Sequence, residues 1–230
     1  MVAIIVEAIR HHVFGSTQLL YFLVLIPSIV LHEVSHGAVA NMCGDHTAKD
    51  AGRLTLNPLK HIDPIGTVLL PILLIVTAGT AFGWAKPVPV SVNRLRHPRN
   101  QAVLVGLAGP AVNIALALIF GYLFRFLTAD GANLPFGGTG APSSWPIGYE
   151  LLYLAGFANV IIAAFNLIPI PPLDGSAVVE RLLPRSVLPA YYRLRSLSMV
   201  LVLLLVFLAP GVLNSIFAHA LSIWGNLVFS

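Results

Sequence analysis

Two histidines and a glutamate stand at the spacing used by metal-dependent hydrolases. They belong to His32-Glu33-Val34-Ser35-His36, set inside an apolar run over residues 19–42. On a helix, residues four apart share a face, so His32 and His36 offer both imidazoles to one side with Glu33 beside them. Two imidazoles so placed can hold a zinc ion at about 2.0–2.1 Å, leaving positions for a third ligand and a water. The neighbouring carboxylate can then take a proton from that water. In a soluble chain such a short pattern also arises by chance. In a lipid-embedded helix a charge near the bilayer centre costs roughly 2.5–3.5 kcal/mol even on lenient scales, so ionisable residues there mark function.

The elements that must position these residues are membrane elements. Hydrophobic residues make up 57% of the 230, charged residues 10%, and the mean hydropathy is +0.86. That leaves too little polar surface for a soluble domain of this length. The expectation is an all-α polytopic membrane protein with about four to six transmembrane helices and a short re-entrant β-like element. It forms a single domain over 1–230, with its core at about 18–183 and further membrane segments at 196–230. The net charge of +4 does not indicate nucleic acid, because the basic residues sit in loops and orient the chain in the lipid. The single cysteine, Cys43, excludes an intrachain disulfide. The first residues lack the pattern of a removable signal, and 1–14 reads as an interfacial stretch.

Spans are expected over 18–42, 101–127 and 147–168, with a less regular apolar segment at 66–84. Residues 196–230 form one kinked span or a hairpin, broken at Pro210-Gly211. Asp174 is the candidate third ligand. It closes an apolar span, precedes a glycine, and follows prolines at 169, 171 and 172, which cannot continue a helix. Such backbone is tolerated at membrane depth only where protein or a water-filled cavity surrounds it. The alternative is an ordinary helix-ending turn at the membrane surface.

Topology separates these readings. If 66–90 crosses the membrane, Asp174 emerges a bilayer away from His36 and no shared site exists. If 66–90 enters and leaves on one side, both emerge on the same face. Pro71, the glycines at 79 and 83, and the Lys-Pro-Val-Pro-Val tail favour the second arrangement. It also gathers eleven of the thirteen Lys and Arg residues on one side, leaving Arg10 and Arg125 opposite. The positive-inside rule then places the site toward the cytoplasm of a multi-pass protein of the cell membrane.

With these parts in place the chain resembles the site-2 protease family of intramembrane zinc metalloproteases, in a short form without a PDZ or CBS domain. The resemblance rests on HEVSHG at 32–37, AGPAVN at 108–113 and NLIPIPPLDG at 166–175. It extends through GRLTLNPLKHIDPIG at 52–66 and FGWAKPVPV at 82–90, and covers roughly 18–183. It implies one catalytic zinc held by His32, His36 and Asp174, with Glu33 as the base. It implies Asn166 as a contact to the substrate backbone or the developing oxyanion. Gly109, Pro110 and Asn113 would pack the middle core helix, with Asn113 also among the substrate contacts. An extended edge bearing Val88 and Val90 would pair with an unwound substrate helix. Ser176 departs from the family, many of whose members carry a second glycine there.

The implied partners are a transmembrane protein substrate and membrane lipid, with control of access either missing or supplied by a separate regulatory subunit and the oligomeric state left open. Two other functions compete: a membrane metal carrier, and a non-proteolytic member that binds helices. A carrier needs ligands along a path, whereas these lie at one depth. An inactive member has no use for Glu33. Iron also suits two histidines and a carboxylate. His11, His12, His46, His61, His97 and His219 read as solvated or interfacial residues. Trp84, Trp145 and Trp224 read as interface anchors.

Overall fold

The computed structural model describes residues 16–69, 85–128, 146–195 and 197–230. The expectations for 1–14, for Trp84 and Trp145, and for most of 66–84 lie outside these residues. The helices are α1 (Ser16–Met42), α2 (Thr47–Asp50), α3 (Pro98–Thr128), α4 (Ile147–Asn166), α5 (Ser176–Leu182), α6 (Leu188–Arg195), α7 (Ser198–Leu208) and α8 (Pro210–Phe229). Among the described residues four helices are long and apolar enough to cross a membrane: α1, α3, α4 and α8. No strand occurs among the described residues, so the protein is an all-α polytopic membrane protein. Residues 85–91 adopt no regular secondary structure, with Ser91 in an extended conformation and prolines at 87 and 89.

Helix α1 runs unbroken through Pro27. Six of its buried residues follow one row four apart, Leu20, Val24, Ser28, His32, His36 and Ala40, with Val30 and Gly37 buried beside it. Such a row is inclined to the helix axis, so it turns gradually from one neighbour to the next. Leu20 and Val24 meet Leu154, Ala155 and Ala158 of α4. Ala40 meets Val105 of α3. Helix α4 is buried without a break from Leu154 to Val160, as expected of a central helix.

In lipid there is little hydrophobic drive between helices, so close packing at small residues and interhelical hydrogen bonds hold the bundle. Helix α8 shows both. A Cβ built on Gly156 of α4 would lie 2.6 Å from the Trp224 ring, and one on Gly121 of α3 would lie 2.9 Å from its Nε1. The indole therefore fills a notch that only glycine leaves open, and its N–H donates to the Ala117 carbonyl at 2.9 Å. Trp224 is thus a buried packing residue and not an interface anchor. The last segment breaks at Ala209. Val202 on one side of that break, and Leu213 and Phe217 on the other, bury into one cluster with Ile168 and Leu173.

The stretch between α1 and α3 leaves and returns on one side. The Arg96 N–H donates to the Cys43 carbonyl at 3.0 Å, joining the two ends. Fully buried Asp45 strengthens the join: it accepts from the Ser91 N–H at 2.6 Å, from the Thr47 N–H at 3.1 Å and from the Thr47 hydroxyl. Arg53 and His61 brace the extended segment. The Arg53 guanidinium donates to the Lys86 carbonyl at 2.8 Å, and the His61 carbonyl accepts from the Lys86 N–H at 2.9 Å. His61 is accordingly buried, not solvated, with its Nε2 against the Thr55 carbonyl at 3.0 Å.

Burial alone would raise the Asp45 pKa. The Thr47 hydroxyl and the Ser91 and Thr47 N–H groups outweigh it, helped by Arg94, and hold this carboxyl below the ordinary range. A depressed folded-state pKa stabilises above the unfolded value of about 3.9 and loses that advantage as pH falls through the folded value. Asp45→Ala is expected to cost about 1.5–3 kcal/mol at neutral pH, as for hydrogen bonds to a charged group. Unfolding in detergent checks it: the gap between wild type and variant should close on acidification below roughly pH 4.

Candidate metal centre

The two histidines reach a common point because each is anchored at its far nitrogen. His36 Nδ1 lies 2.6 Å from the Val105 carbonyl of α3, which can only accept, so Nδ1 carries the proton. His32 Nδ1 lies 2.5 Å from Asn113 Oδ1, also on α3. In the neutral rings both Nε2 atoms are therefore left with free lone pairs. They stand 3.1 Å apart. Fixing the outer nitrogen in this way sets the tautomer and ring orientation of a metal-binding histidine.

Asp174 arrives from the turn after α4. The Gly175 N–H donates to the Asn166 carbonyl at 2.7 Å, folding the proline-rich stretch back onto the end of α4. This sets Asp174 Oδ2 at 3.0 Å from His32 Nε2 and 3.4 Å from His36 Nε2. Oδ2 is buried and has no hydrogen-bond donor. Three lone-pair atoms thus converge with no proton to share, the donor set of a structural or catalytic zinc. Their separations match the edge of a tetrahedron with bonds of about 2.0–2.1 Å, roughly 3.3 Å. The residues present fit a zinc ion.

Helix α3 makes room for this meeting. A Cβ on Gly109 would lie 2.5 Å from His32 Cε1, His32 Nε2 and His36 Nε2. One turn earlier, a Cβ on Gly106 would lie 2.7 Å from the Ala177 side chain, just beyond the Asp174 turn. Glycine at these two positions lets α3 approach both halves of the donor set. The motif containing Gly109 suggested helix packing, and its contact with the imidazoles was not legible there.

Glu33 faces another way. Its Oε2 accepts from the Val88 N–H at 2.9 Å. Gly37, one turn on, lies against the same residue: a Cβ there would lie 2.8 Å from Val88 Cγ1. Helix α1 thus turns His32 and His36 toward α3, and Glu33 and Gly37 toward residues 85–91. The Val88 side chain is buried and that of Val90 is partly buried.

Two expected substrate contacts are otherwise engaged. Asn113 is fully buried, and its amide is committed to His32, Asn159 and Ser28, so it orients His32 and offers substrate no surface. Asn166 donates its amide N–H to the Ile162 carbonyl at 3.0 Å, within its own helix. Sequence reasoning missed Asn159 and Ser28, which carry no motif.

Comparison with known proteins adds an independent observation. Residues 143–209 match peptidase family M50. YwhC of Bacillus subtilis, named as a candidate zinc metalloprotease, is 41% identical over 187 residues, covering 81% of this chain and 78% of that protein. Two proteins called Rip2, named likewise, also match. That of Mycolicibacterium smegmatis is 34% identical over 66% of this chain, and that of Mycobacterium tuberculosis strain H37Rv 33% identical over 80%. The chain spans 53% and 64% of those two longer proteins. No solved structure matches it.

Gly109→Ala is expected to leave the bundle folded and empty the centre, because a methyl group at 2.5 Å from both Nε2 atoms must displace the rings. Metal content per chain, measured after dialysis against zinc, should drop from near one to near zero. An unchanged helical signal by circular dichroism would show that the fold survives.

Proposed function

This chain belongs to peptidase family M50, the site-2 proteases, and on that premise we propose that it is a zinc-dependent intramembrane endopeptidase. Its substrates are membrane-anchored proteins cut in or beside a transmembrane helix, as in regulated intramembrane proteolysis. The supporting observation is the meeting of His32 Nε2, His36 Nε2 and Asp174 Oδ2 within one turn of Glu33. In this reading the whole of 1–230 acts as one membrane domain of the cell membrane. Its site opens toward the cytoplasm, the side of the basic loops.

One zinc ion held by His32, His36 and Asp174 supplies two things when bound, a lowered pKa for water and a polarised scissile carbonyl. Glu33 takes the proton of the attacking water and later delivers it to the leaving amine. Its hydrogen bond from Val88 restrains the carboxylate while leaving Oε1 available for that exchange. Asn166 is the candidate donor to the developing oxyanion, a role worth about 2.7–4 kcal/mol elsewhere. One of its two amide hydrogens is held by the Ile162 carbonyl, which leaves the second for that role.

A substrate helix has its amides bonded internally and must unwind locally before hydrolysis. The freed groups need new partners in a low-dielectric setting. The Val88 carbonyl and the backbone groups of Val90 supply them by strand addition, the Val88 N–H being held by Glu33, with backbone contacts fixing register beside it. Two prolines, at 87 and 89, keep this segment extended.

Glu33→Gln should retain zinc and lose cleavage of single-span membrane proteins by at least about 100-fold, the lower end for loss of a general base. Purified protein in detergent, with zinc assayed beside cleavage, provides the measurement. Loss of metal together with activity would argue that Glu33 serves the centre in another way.

A further inference from the structure

Four polar side chains are buried together in the middle of the bundle, where an unmatched donor or acceptor is expensive. They are His32 and Ser28 on α1, Asn113 on α3 and Asn159 on α4. His32 donates from Nδ1 to Asn113 Oδ1 at 2.5 Å. Asn113 donates to Asn159 Oδ1 at 2.6 Å and to the Ser28 carbonyl at 3.5 Å. Asn159 donates to Ser28 Oγ at 2.9 Å and to the Ala155 carbonyl at 2.8 Å. Ser28 Oγ donates to the Val24 carbonyl at 2.8 Å. Every polar hydrogen on the four side chains has an acceptor.

The direction of this chain is not free. It ends on the backbone carbonyls of Val24, Ser28 and Ala155, which can only accept. Turning the Asn159 amide over would set its oxygen against the Ala155 carbonyl and its N–H groups against those of Asn113. The oxygen of Asn113 must therefore face His32, and the proton of His32 must sit on Nδ1. His36 differs, since a main-chain carbonyl fixes it and no side-chain change can release it.

We infer that Asn159 and Ser28, acting through Asn113, are positioning residues that hold His32 with its Nε2 lone pair on the metal centre. Neither touches the reacting atoms. The inference rests on the zinc-site reading above, and its test separates the two.

Affinity for Zn²⁺ and Co²⁺ is measured by competition with a chelator in the purified full chain, together with the visible absorption of the Co²⁺ form. Ser28→Ala deletes one oxygen and Asn159→Leu removes the amide at similar volume. Both are expected to weaken metal binding by up to about 10-fold, the low end of the effect of losing a direct partner of a ligand, and to alter the Co²⁺ bands. Ser28→Thr keeps the hydroxyl and is expected to retain wild-type affinity and spectrum. If Ser28→Ala and Asn159→Leu lower thermal stability but leave affinity and spectrum unchanged, the network is packing only and the inference is overturned. His32→Ala is the control. Should it too leave metal binding intact, the zinc-site reading itself has failed, and the inference with it.

Discussion

Three lone pairs are held within 3.4 Å of one another with no proton between them. In a buried setting such a cluster is repulsive, because the low local dielectric that strengthens a satisfied contact also magnifies an unsatisfied one. With both rings neutral the chain alone does not relieve it: their protons are already spent on Val105 and Asn113, and Asp174 Oδ2 has no donor. A divalent cation turns the same geometry from repulsive to attractive. The remaining structure can be understood as what keeps these atoms from moving apart.

Much of that work falls to one face of α3. Gly106, Gly109, Asn113, Ala117 and Gly121 follow each other at helical spacing along it. Gly106 meets the stretch after Asp174, Gly109 meets both imidazoles, and Asn113 turns His32. Farther along, the Ala117 carbonyl and Gly121 seat Trp224. Small residues allow approach and a few hydrogen bonds fix register. In lipid these contacts carry the burden that apolar burial bears in water, at about 0.6 to 2 kcal/mol for each interhelical bond. The stripe therefore ties the donor set and the last helix to a single scaffold.

The shared face of His32 and His36 was legible in the sequence because local spacing encodes it. His32 and His36 lie one turn apart, and the charges are conspicuous in an apolar run. The side of the membrane on which Asp174 emerges was also legible, since crossings must alternate and prolines and glycines at 66–90 argued against one. The bond between Arg96 and Cys43 closes that excursion as expected. What was not legible depends on distant partners. Asn159 and Ser28 sit in apolar helices with no local pattern, and only the approach of α1, α3 and α4 gives them acceptors. Trp224 resembles an interface anchor by position, yet glycines 68 and 103 residues away open the notch that buries it. The amide of Asn113 looks available until those neighbours are placed.

The division of α1 into two faces links positioning to access. His32 and His36 look toward α3, whereas Glu33 and Gly37 look toward residues 85–91. On the proposed peptidase function, a peptide carbonyl reaching both the imidazole side and the carboxylate would enter between these two walls. One wall is a transmembrane helix, rigid through its own ladder. The other is an extended segment tied to polar loops through Arg53, His61 and Asp45. Between Pro87 and Pro89, Val88 has the one N–H in the three residues, and it is spent on Glu33. Any displacement of the segment is thus felt first at the carboxylate and only afterwards at the ligands. The Glu33 carboxylate is the adjustable part of this site, and the three converging atoms of His32, His36 and Asp174 are the fixed part.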